Sequence, residues 1–398
     1  MNSQLTGTDR GHLARALELA EGGCGRVSPN PLVGAVVVRD GEVIGEGFHA
    51  GLGGLHAERA ALADCRQRGE DPRGATMYVT LEPCAHTGRQ PPCTEAILEA
   101  GIVRVVIGSE DPSEKAAGRG PGILRDGGVE VEFAAGEEAT AARLLNQPFR
   151  KHVRTGLPLV TLKLAMSLDG RTSTAPGDSP WISGEQSRAL VHQWRAESDA
   201  IAVGIGTVQA DDPLLTARPQ PSGAPYAIHE HIKRTGADLR QPARIVFDRQ
   251  ARLPLDSQLL KTLDESPVVV VVSPEADASA LRDAGAEIIV ATGIRPVLAE
   301  LGTRNVTSLF LEGGPTLAAA FQTVDQVDEV RTFIAPVLLG SGRRAGPVAA
   351  GDSPPPAVAK ASSGAVPPTA PPARETALSR EVETVGDDVL VTARFKEW

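Results

Sequence analysis

Twice along its 398 residues this chain alternates short apolar runs of strand character with helical runs, and once, near residues 146–158, the alternation stops. Alternation of this kind builds layered α/β domains, so the pattern predicts two of them in series. In the first series, residues 9–21 place Leu13, Ala16, Leu17 and Ala20 at helical spacing, and LVGAVVVRDGEVIGEGFH reads as two strands around Asp40-Gly41, a strong hairpin signal. HAERAALADCRQRG is helical and ATMYVTLEP is a strand. PPCTEAILEAG is a short helix entered through Pro92 and stopped by Gly101, and VRVVIGS is the next strand. NQPFRKHVRTGLP loses the apolar period and ends in Gly156 and Pro158. The expected organisation is a first domain over 1–146, a linker over 147–157 and a second domain over 158–398. The second series runs through PLVTLKLAMSL, a helix near 184–196, DAIAVGIGT, ARIVFD, PVVVVVS, AEIIVA, TSLFLEGG, a helix near 315–321 and DEVRTFIA. Residues 345–373 are rich in Pro, Ala, Ser and Gly without any period, which predicts a flexible excursion. DDVLVTARF after it reads as a strand able to rejoin the second sheet. Aromatic residues are only 3%, so both cores must rest mainly on Ala, Val, Leu and Ile.

The chemistry of the first half is concentrated in three segments. His56-Ala57-Glu58 opens a helix, Pro83-Cys84 follows a strand and Pro92-Cys93 opens the next helix. One imidazole and two thiolates suit Zn²⁺, and three protein ligands leave the fourth tetrahedral position to water, as in a catalytic rather than a structural site. Cys93 at a helix N-terminus is expected to gain a depressed thiol pKa. Glu58 is the natural proton carrier. Residues two apart do not share a helix face, so His56 and Glu58 converge only if both sit at the first turn. H-x-E followed by P-C-x-x-C is the signature of zinc deaminases, and here the cysteines stand as C-x8-C instead. The inserted AHTGRQPP must loop out beside the metal, and it carries His86 and Arg89, groups suited to a substrate phosphate. Cys65 fits a small core position and Cys24 carries no assignment. Asn30, between two prolines just before a strand, reads equally as a turn residue and as an amide that reads a pyrimidine edge.

The second half carries weaker signals. LFLEGGPTLAAAF is a strand, then Gly313-Gly314, then a helix, and AIAVGIGT repeats that logic with Gly204, Gly206 and Thr207. Such loops let a phosphate approach backbone N–H groups at a helix start. Neither is a G-x-G-x-x-G fingerprint, yet two in one sheet favour a dinucleotide. LKLAMSLDGRTS sets Lys163, Ser167 and Asp169 at alternating positions leaving a strand, either a ligand-facing or a solvated polar face. Arg195 and Arg218, flanking Asp211-Asp212-Pro213, read as phosphate binders or as ordinary surface arginines.

Charge and cysteine usage narrow the class. The net charge of −10 argues against broad nucleic-acid or anionic-membrane binding, while leaving room for a phosphorylated small molecule held by a few local cations. Four cysteines in a chain of this length form no disulfide framework. No secretory pattern opens the sequence and no apolar run reaches membrane-spanning length, so a cytoplasmic setting is expected.

Taken together, SPNPLVGAVVV, HAE, TLEPCAHTGRQPPC, AGRG, TLKLAMSLDGRT, WIS, RAESDAIAVGIGTVQADDPLLTAR, LEGGPTLAAAF and VDEVRTFIAPVLLGSG stand in the order of one family. The chain resembles the bifunctional deaminase–reductases of riboflavin biosynthesis from about Arg10 to Arg343. The resemblance implies an α/β chain with an N-terminal, three-layer, cytidine-deaminase-like domain and a C-terminal, dihydrofolate-reductase-like domain. It implies Zn²⁺, one per chain, and NADPH as cofactors. It implies deamination of 2,5-diamino-6-(ribosylamino)-4(3H)-pyrimidinone 5′-phosphate, then reduction of the ribosyl group to ribityl. His56, Cys84 and Cys93 match its zinc ligands, Glu58 its proton donor, and Asn30, His86 and Arg89 its deaminase substrate contacts. Ala165, Trp181, Ser183, Thr207, Asp211 and Gly314 match NADP-contacting positions. Ser179, Arg195, Leu215, Arg218 and Glu312 match reductase substrate positions, with Lys163 near the site of hydride transfer. The partner implied is a phosphorylated aminopyrimidine, with neither nucleic acid nor membrane, and a homo-oligomer is left open. The competing expectations are a single-function nucleoside or nucleobase deaminase with a degenerate second domain, and a non-catalytic zinc and nucleotide binding module, for which Glu58 would have no use.

Overall fold

The computed structural model of the chain describes residues 5–88, 90–113, 116–173, 181–218, 240–340 and 376–398. Arg89, Ser179 and the excursion expected over 345–373 lie outside them. The first sheet has five strands, β1 (Gly34–Arg39), β2 (Glu42–Phe48), β3 (Thr76–Leu81), β4 (Arg104–Ser109) and β5 (Glu130–Phe133), in the order β2-β1-β3-β4-β5. The hairpin turns at Asp40 and Gly41, with φ of 54° and 84°, the left-handed pair that a two-residue turn between twisted strands requires.

Helices α1 (Gly7–Glu21), α2 (Ala57–Arg68), α3 (Cys93–Glu99), α4 (Arg119–Asp126) and α5 (Gly136–Leu145) cover this sheet. Alternate strand residues face opposite ways, so Val37, Met77, Val79, Val105 and Ile107 pack with residues of α2, α3 and α4. Val36, Tyr78 and Val106 pack with Ala16 of α1. The result is the three-layer arrangement expected. Helix α1 lies so close that a Cβ on Gly34 would stand 2.0 Å from the Ala16 carbonyl oxygen. Gly34→Ala should therefore force the helix off the sheet and cost about 1–3 kcal/mol, read as a lowered denaturation midpoint. An unchanged midpoint would contradict so close a contact.

The second sheet has nine strands: β6 (Leu159–Ser167), β7 (Ala200–Gly204), β8 (Ala243–Phe247), β9 (Val268–Val272), β10 (Glu287–Val290), β11 (Ser308–Leu311), β12 (Glu329–Ala335), β13 (Ser379–Val385) and β14 (Asp388–Arg394). Their order is β10-β9-β8-β7-β11-β6-β12-β14-β13, parallel up to β12 and antiparallel beyond it. The final strand expected from DDVLVTARF rejoins this sheet against β12. Strand β13 did not stand out in the sequence, because SREVETV is exposed along nearly its whole length and carries no apolar alternation. Helices α7 (Glu185–Glu197), α8 (Ile205–Asp211), α9 (Gln258–Lys261), α10 (Ser279–Asp283), α11 (Ile294–Thr303) and α12 (Pro315–Thr323) complete this half. Trp194, Phe310 and Phe333 centre the core on one face, and Val297, Leu298 and Phe321 that on the other.

Between the sheets, the segment with no apolar period forms helix α6 (Gln147–Thr155). Its buried side chains are Gln147, Arg150 and Lys151, which is why no apolar stripe marks it. Arg150 donates to the Glu110 carboxylate at 2.6 Å, just past β4 of the first sheet. Lys151 donates to Asp328 at 2.6 Å, just before β12 of the second. Consecutive residues of one helix thus tie the two sheets together.

Candidate active sites

The metal cluster is assembled by ends of elements. His56 is the N-cap of α2, with extended backbone (φ −70°, ψ 158°), so it stands off the helix while Glu58 sits inside the first turn. This resolves the i, i+2 problem: the two side chains converge because only one of them is helical. Cys84 follows β3, and Cys93 is the first residue of α3. His56 Nδ1 lies 3.6 Å from Cys84 Sγ and 3.4 Å from Cys93 Sγ. All three ligand atoms lie within 4.8 Å of one another, a spacing and donor set that fit Zn²⁺.

Electrostatics there differ from expectation in one respect. The depressed thiol is Cys84, not Cys93. Cys84 is lowered to about 4 by the hydrogen bond from Cys93, aided by His56 and by the Cys93 backbone N–H at 3.4 Å. Cys93 is raised, chiefly because it is the donor in that bond and is buried. In a hydrogen bond between two sulfurs the donor is raised and the acceptor lowered, and here this outweighs the pull of the short helix α3. Glu58 is 3% exposed, and its burial pushes it up to about 7. Of the other cysteines, Cys65 is fully buried in the apolar core, as expected.

Asn30 stands at the rim of this half, on the segment leading into β1. Its Nδ2 lies 3.1 Å from His49 Nε2, and His49 Nδ1 lies 2.9 Å from the Leu55 carbonyl. Nδ1 must donate to that carbonyl, so Nε2 accepts from the Asn30 amide, and the amide is thereby oriented. Burial holds His49 below its ordinary pKa, in keeping with a neutral ring, and its ring meets that of His56 edge-on at 5.5 Å. Sequence reasoning passed over His49, whose one signal was a histidine closing a strand seven residues before the metal histidine. His86 is exposed on the loop between β3 and α3.

In the second sheet, β7 and β11 are parallel neighbours, and each leads to a glycine that caps a helix: Gly204, the last residue of β7, before α8, and Gly314, three residues past β11, before α12. The two glycine loops therefore open side by side at the C-terminal ends of adjacent strands, where α/β sheets bind nucleotides. Thr207 lies in α8 and Asp211 closes it, exposed. Ala165 is half-buried on β6, and Ser183 is half-buried ahead of α7. Trp181 is 63% exposed, with the Arg188 guanidinium 5.0 Å above its ring.

Arg195 on α7 grips Glu312, just past β11, through two bonds of 2.6 and 2.9 Å. Lys163 on β6 is held below the usual lysine range by burial, against the pull of Glu312. Ser167, the other candidate on that strand, donates to Asp169 at 2.6 Å, and Asp169 also accepts from the Leu339 and Gly340 backbone N–H groups at 3.0 and 2.8 Å, so both are engaged within the protein. Leu215 is buried with φ of 54°. Arg218 donates to Thr216 Oγ1 at 2.6 Å and its backbone N–H to His192 Nδ1 at 3.3 Å. Burial and the neighbouring Arg195 lower His192 to about 4.

A metal-ready His–Cys–Cys cluster with a buried glutamate on one sheet, and paired glycine loops on another, define a zinc deaminase fused to a nucleotide-dependent reductase. Family models agree, matching "Cytidine and deoxycytidylate deaminase zinc-binding region" over residues 7–109 and "RibD C-terminal domain" over 158–365. The riboflavin biosynthesis protein RibD of Actinobacillus pleuropneumoniae is 42% identical over 356 residues, covering 87% of this chain and 89% of that one. RibD of Escherichia coli is 40% identical, covering 84% and 90%. Among solved structures, a Thermotoga maritima diaminohydroxyphosphoribosylaminopyrimidine deaminase/5-amino-6-(5-phosphoribosylamino)uracil reductase superposes with a TM-score of 0.79 at 34% identity, covering 98% of this chain and 99% of that one. Acinetobacter baumannii RibD does so with a TM-score of 0.79 at 36% identity, with the same coverage. The chain belongs to the RibD family: it is a bifunctional deaminase and reductase of riboflavin biosynthesis that uses zinc and NADPH. Among the described residues no helix is long and apolar enough to cross a membrane.

Proposed function

We propose that this chain removes the 2-amino group of 2,5-diamino-6-(ribosylamino)-4(3H)-pyrimidinone 5′-phosphate and then reduces the ribosyl group to ribityl. We assign residues 1–146 to the first step, 147–157 to the join and 158–398 to the second. The observation that carries the reading is Glu58, buried beside His56, Cys84 and Cys93, in a chain that also sets two glycine loops side by side. A structural metal site has no use for that carboxyl, and a degenerate second half has no use for those loops.

Zinc held by His56, Cys84 and Cys93 supplies a Lewis acid that makes water nucleophilic near neutral pH. Glu58, with its pKa pushed up to about 7, takes in turn the two protons that water sheds and gives one to the ring nitrogen and the other to the departing amine. Water adds its oxygen to the ring carbon and ammonia leaves, so the exchange balances. Asn30, oriented by His49, contacts the substrate, while His86 and Arg89 bind its phosphate.

In the second half NADPH supplies the hydride. Ala165, Trp181, Ser183, Thr207, Asp211 and Gly314 hold the cofactor, and Ser179, Arg195, Leu215, Arg218 and Glu312 hold the substrate. Glu312 fixes the Arg195 guanidinium so that it meets the substrate in one orientation. Lys163 Nζ, beside that pair, keeps a proton ready near the sugar. Lys163→Met should lower the reductase kcat/KM by about tenfold to a hundredfold and leave ammonia release unchanged. Loss of both activities would place the lysine in the fold rather than the site.

A net charge of −10 and four cysteines with no disulfide among them support a cytoplasmic enzyme of small phosphorylated substrates rather than of nucleic acid. The deciding experiment couples the diaminopyrimidine phosphate with NADPH. Ammonia release followed by NADPH oxidation is expected. Ammonia without NADPH oxidation would overturn the second assignment, and equal turnover of the unphosphorylated nucleoside would overturn the substrate.

A further inference from the structure

The segment that delivers Asn30 to the deaminase site is not held by the deaminase sheet alone. A turn is closed by the Asn30 backbone N–H donating to the Val27 carbonyl at 2.9 Å, and Ser28 occupies the middle of that turn. Ser28 Oγ donates to Asp199 Oδ2 at 2.7 Å, and lies 3.2 Å from Thr307 Oγ1. Both partners belong to the reductase sheet: Asp199 immediately precedes β7, and Thr307 immediately precedes β11.

Asp199 is 7% exposed, and its Oδ2 also accepts from the Thr307 backbone N–H at 2.7 Å, the Thr307 hydroxyl at 2.8 Å and the Ser308 N–H at 3.2 Å. This oxygen therefore cannot move to follow Ser28. It is fixed by the pairing of two central strands, and the turn must come to it. On the other side of Asn30, Leu32 is clamped by Asn146, which accepts its N–H at 2.8 Å and donates to its carbonyl at 2.9 Å. Gly25 packs against the Ala196 carbonyl of α7 so closely that a Cβ would stand 2.2 Å from the oxygen. A cavity of about 260 Å³ lies between these anchors, lined by Ser28, Asn30, Asn146, Trp194 and Asp199 among others, so packing beneath the loop does not fix it in their place.

We propose that Asp199, from the reductase half, is a positioning residue of the deaminase: through Ser28 it sets the height of the Asn30 turn over the pyrimidine. The inference rests on the reading of Asn30 as a substrate contact. Its consequence is that the reductase fold sets how tightly the deaminase holds its substrate.

The test is kinetic and uses the full chain. Ser28→Ala deletes one of the four donors to Asp199 Oδ2 and leaves the strand contacts in place. It should raise the deaminase KM about fivefold to tenfold with kcat nearly unchanged, and leave zinc content and both reductase constants as they were. Ser28→Thr, which keeps the hydroxyl, should restore the KM. Combining Ser28→Ala with Asp199→Asn should add less to the KM than the two changes would separately. An unchanged KM, a failure of threonine to restore it, or an equal loss in both activities would overturn the proposal. Asn30→Ala, run alongside, separates the two ideas. If it too leaves the KM unchanged, the reading of Asn30 fails and takes this inference with it. If it raises the KM while Ser28→Ala does not, only the inference fails.

Discussion

Glu58→Gln should lower the rate of ammonia release by about a thousandfold, within the range that a positioned proton carrier supplies. The glutamine is isosteric, so the apolar surroundings that leave Glu58 only 3% exposed are filled as before. None of the three metal ligand atoms comes from Glu58, so zinc content should stay at one per chain. NADPH oxidation with the deaminated intermediate supplied directly should also be unchanged, because that chemistry belongs to the other sheet. Zinc by metal analysis, ammonia by coupled assay and NADPH by absorbance read the three outcomes separately. Ammonia release within a factor of ten of the parent would remove Glu58 from the role assigned to it. Loss of zinc together with activity would make it a support of the cluster instead.

Asp328→Ala should cost about 3–5 kcal/mol of stability, the penalty for breaking a buried ion pair from one side. Asp328 is fully buried, and besides Lys151 it accepts from the Val160 backbone N–H at 2.8 Å and from Trp398 Nε1 at 3.0 Å. Removing it strands a buried ammonium, the buried Val160 N–H and the half-buried Trp398 indole N–H at once. Lys151 is already held below the usual lysine range by burial, so it would respond partly by losing its proton, which limits the penalty. For a unit of this size the shift in Tm is roughly 10 °C. The double variant Lys151→Met with Asp328→Leu should recover most of the loss, since an apolar pair carries no desolvation cost. If the double variant is no more stable than Asp328→Ala, the loss comes from the Val160 and Trp398 bonds rather than from the charge.

The sites were legible to different degrees, for physical reasons. The zinc cluster was readable because each ligand carries a local mark: a histidine before a helix, and cysteines that follow prolines at the ends of elements. The glycine loops were readable as motifs, but that they open side by side depends on β11 pairing with β7, strands about 100 residues apart. The Arg195–Glu312 grip was not readable, because its partners are separated by 117 positions and each alone looks like a surface charge. Helix α6 looked like a featureless join because its buried face is polar: Arg150 and Lys151 are spent on the two neighbouring sheets rather than on an apolar core. The Cys93 thiol was misjudged because a single helix end was weighed without the second sulfur beside it.

The sequence by itself determined the two α/β series, the His56, Cys84 and Cys93 set that can hold a metal, the glutamate beside it and the family, since each is written in residues close together in the chain. Only the tertiary structure decided how these parts act on one another. His49 orients Asn30, Glu312 fixes Arg195, and Asp199 of one half holds the Asn30 turn of the other. Hydrogen bonds and ion pairs of this kind act over about three ångströms, and which groups come that close is set by strand order and helix packing, not by spacing along the chain.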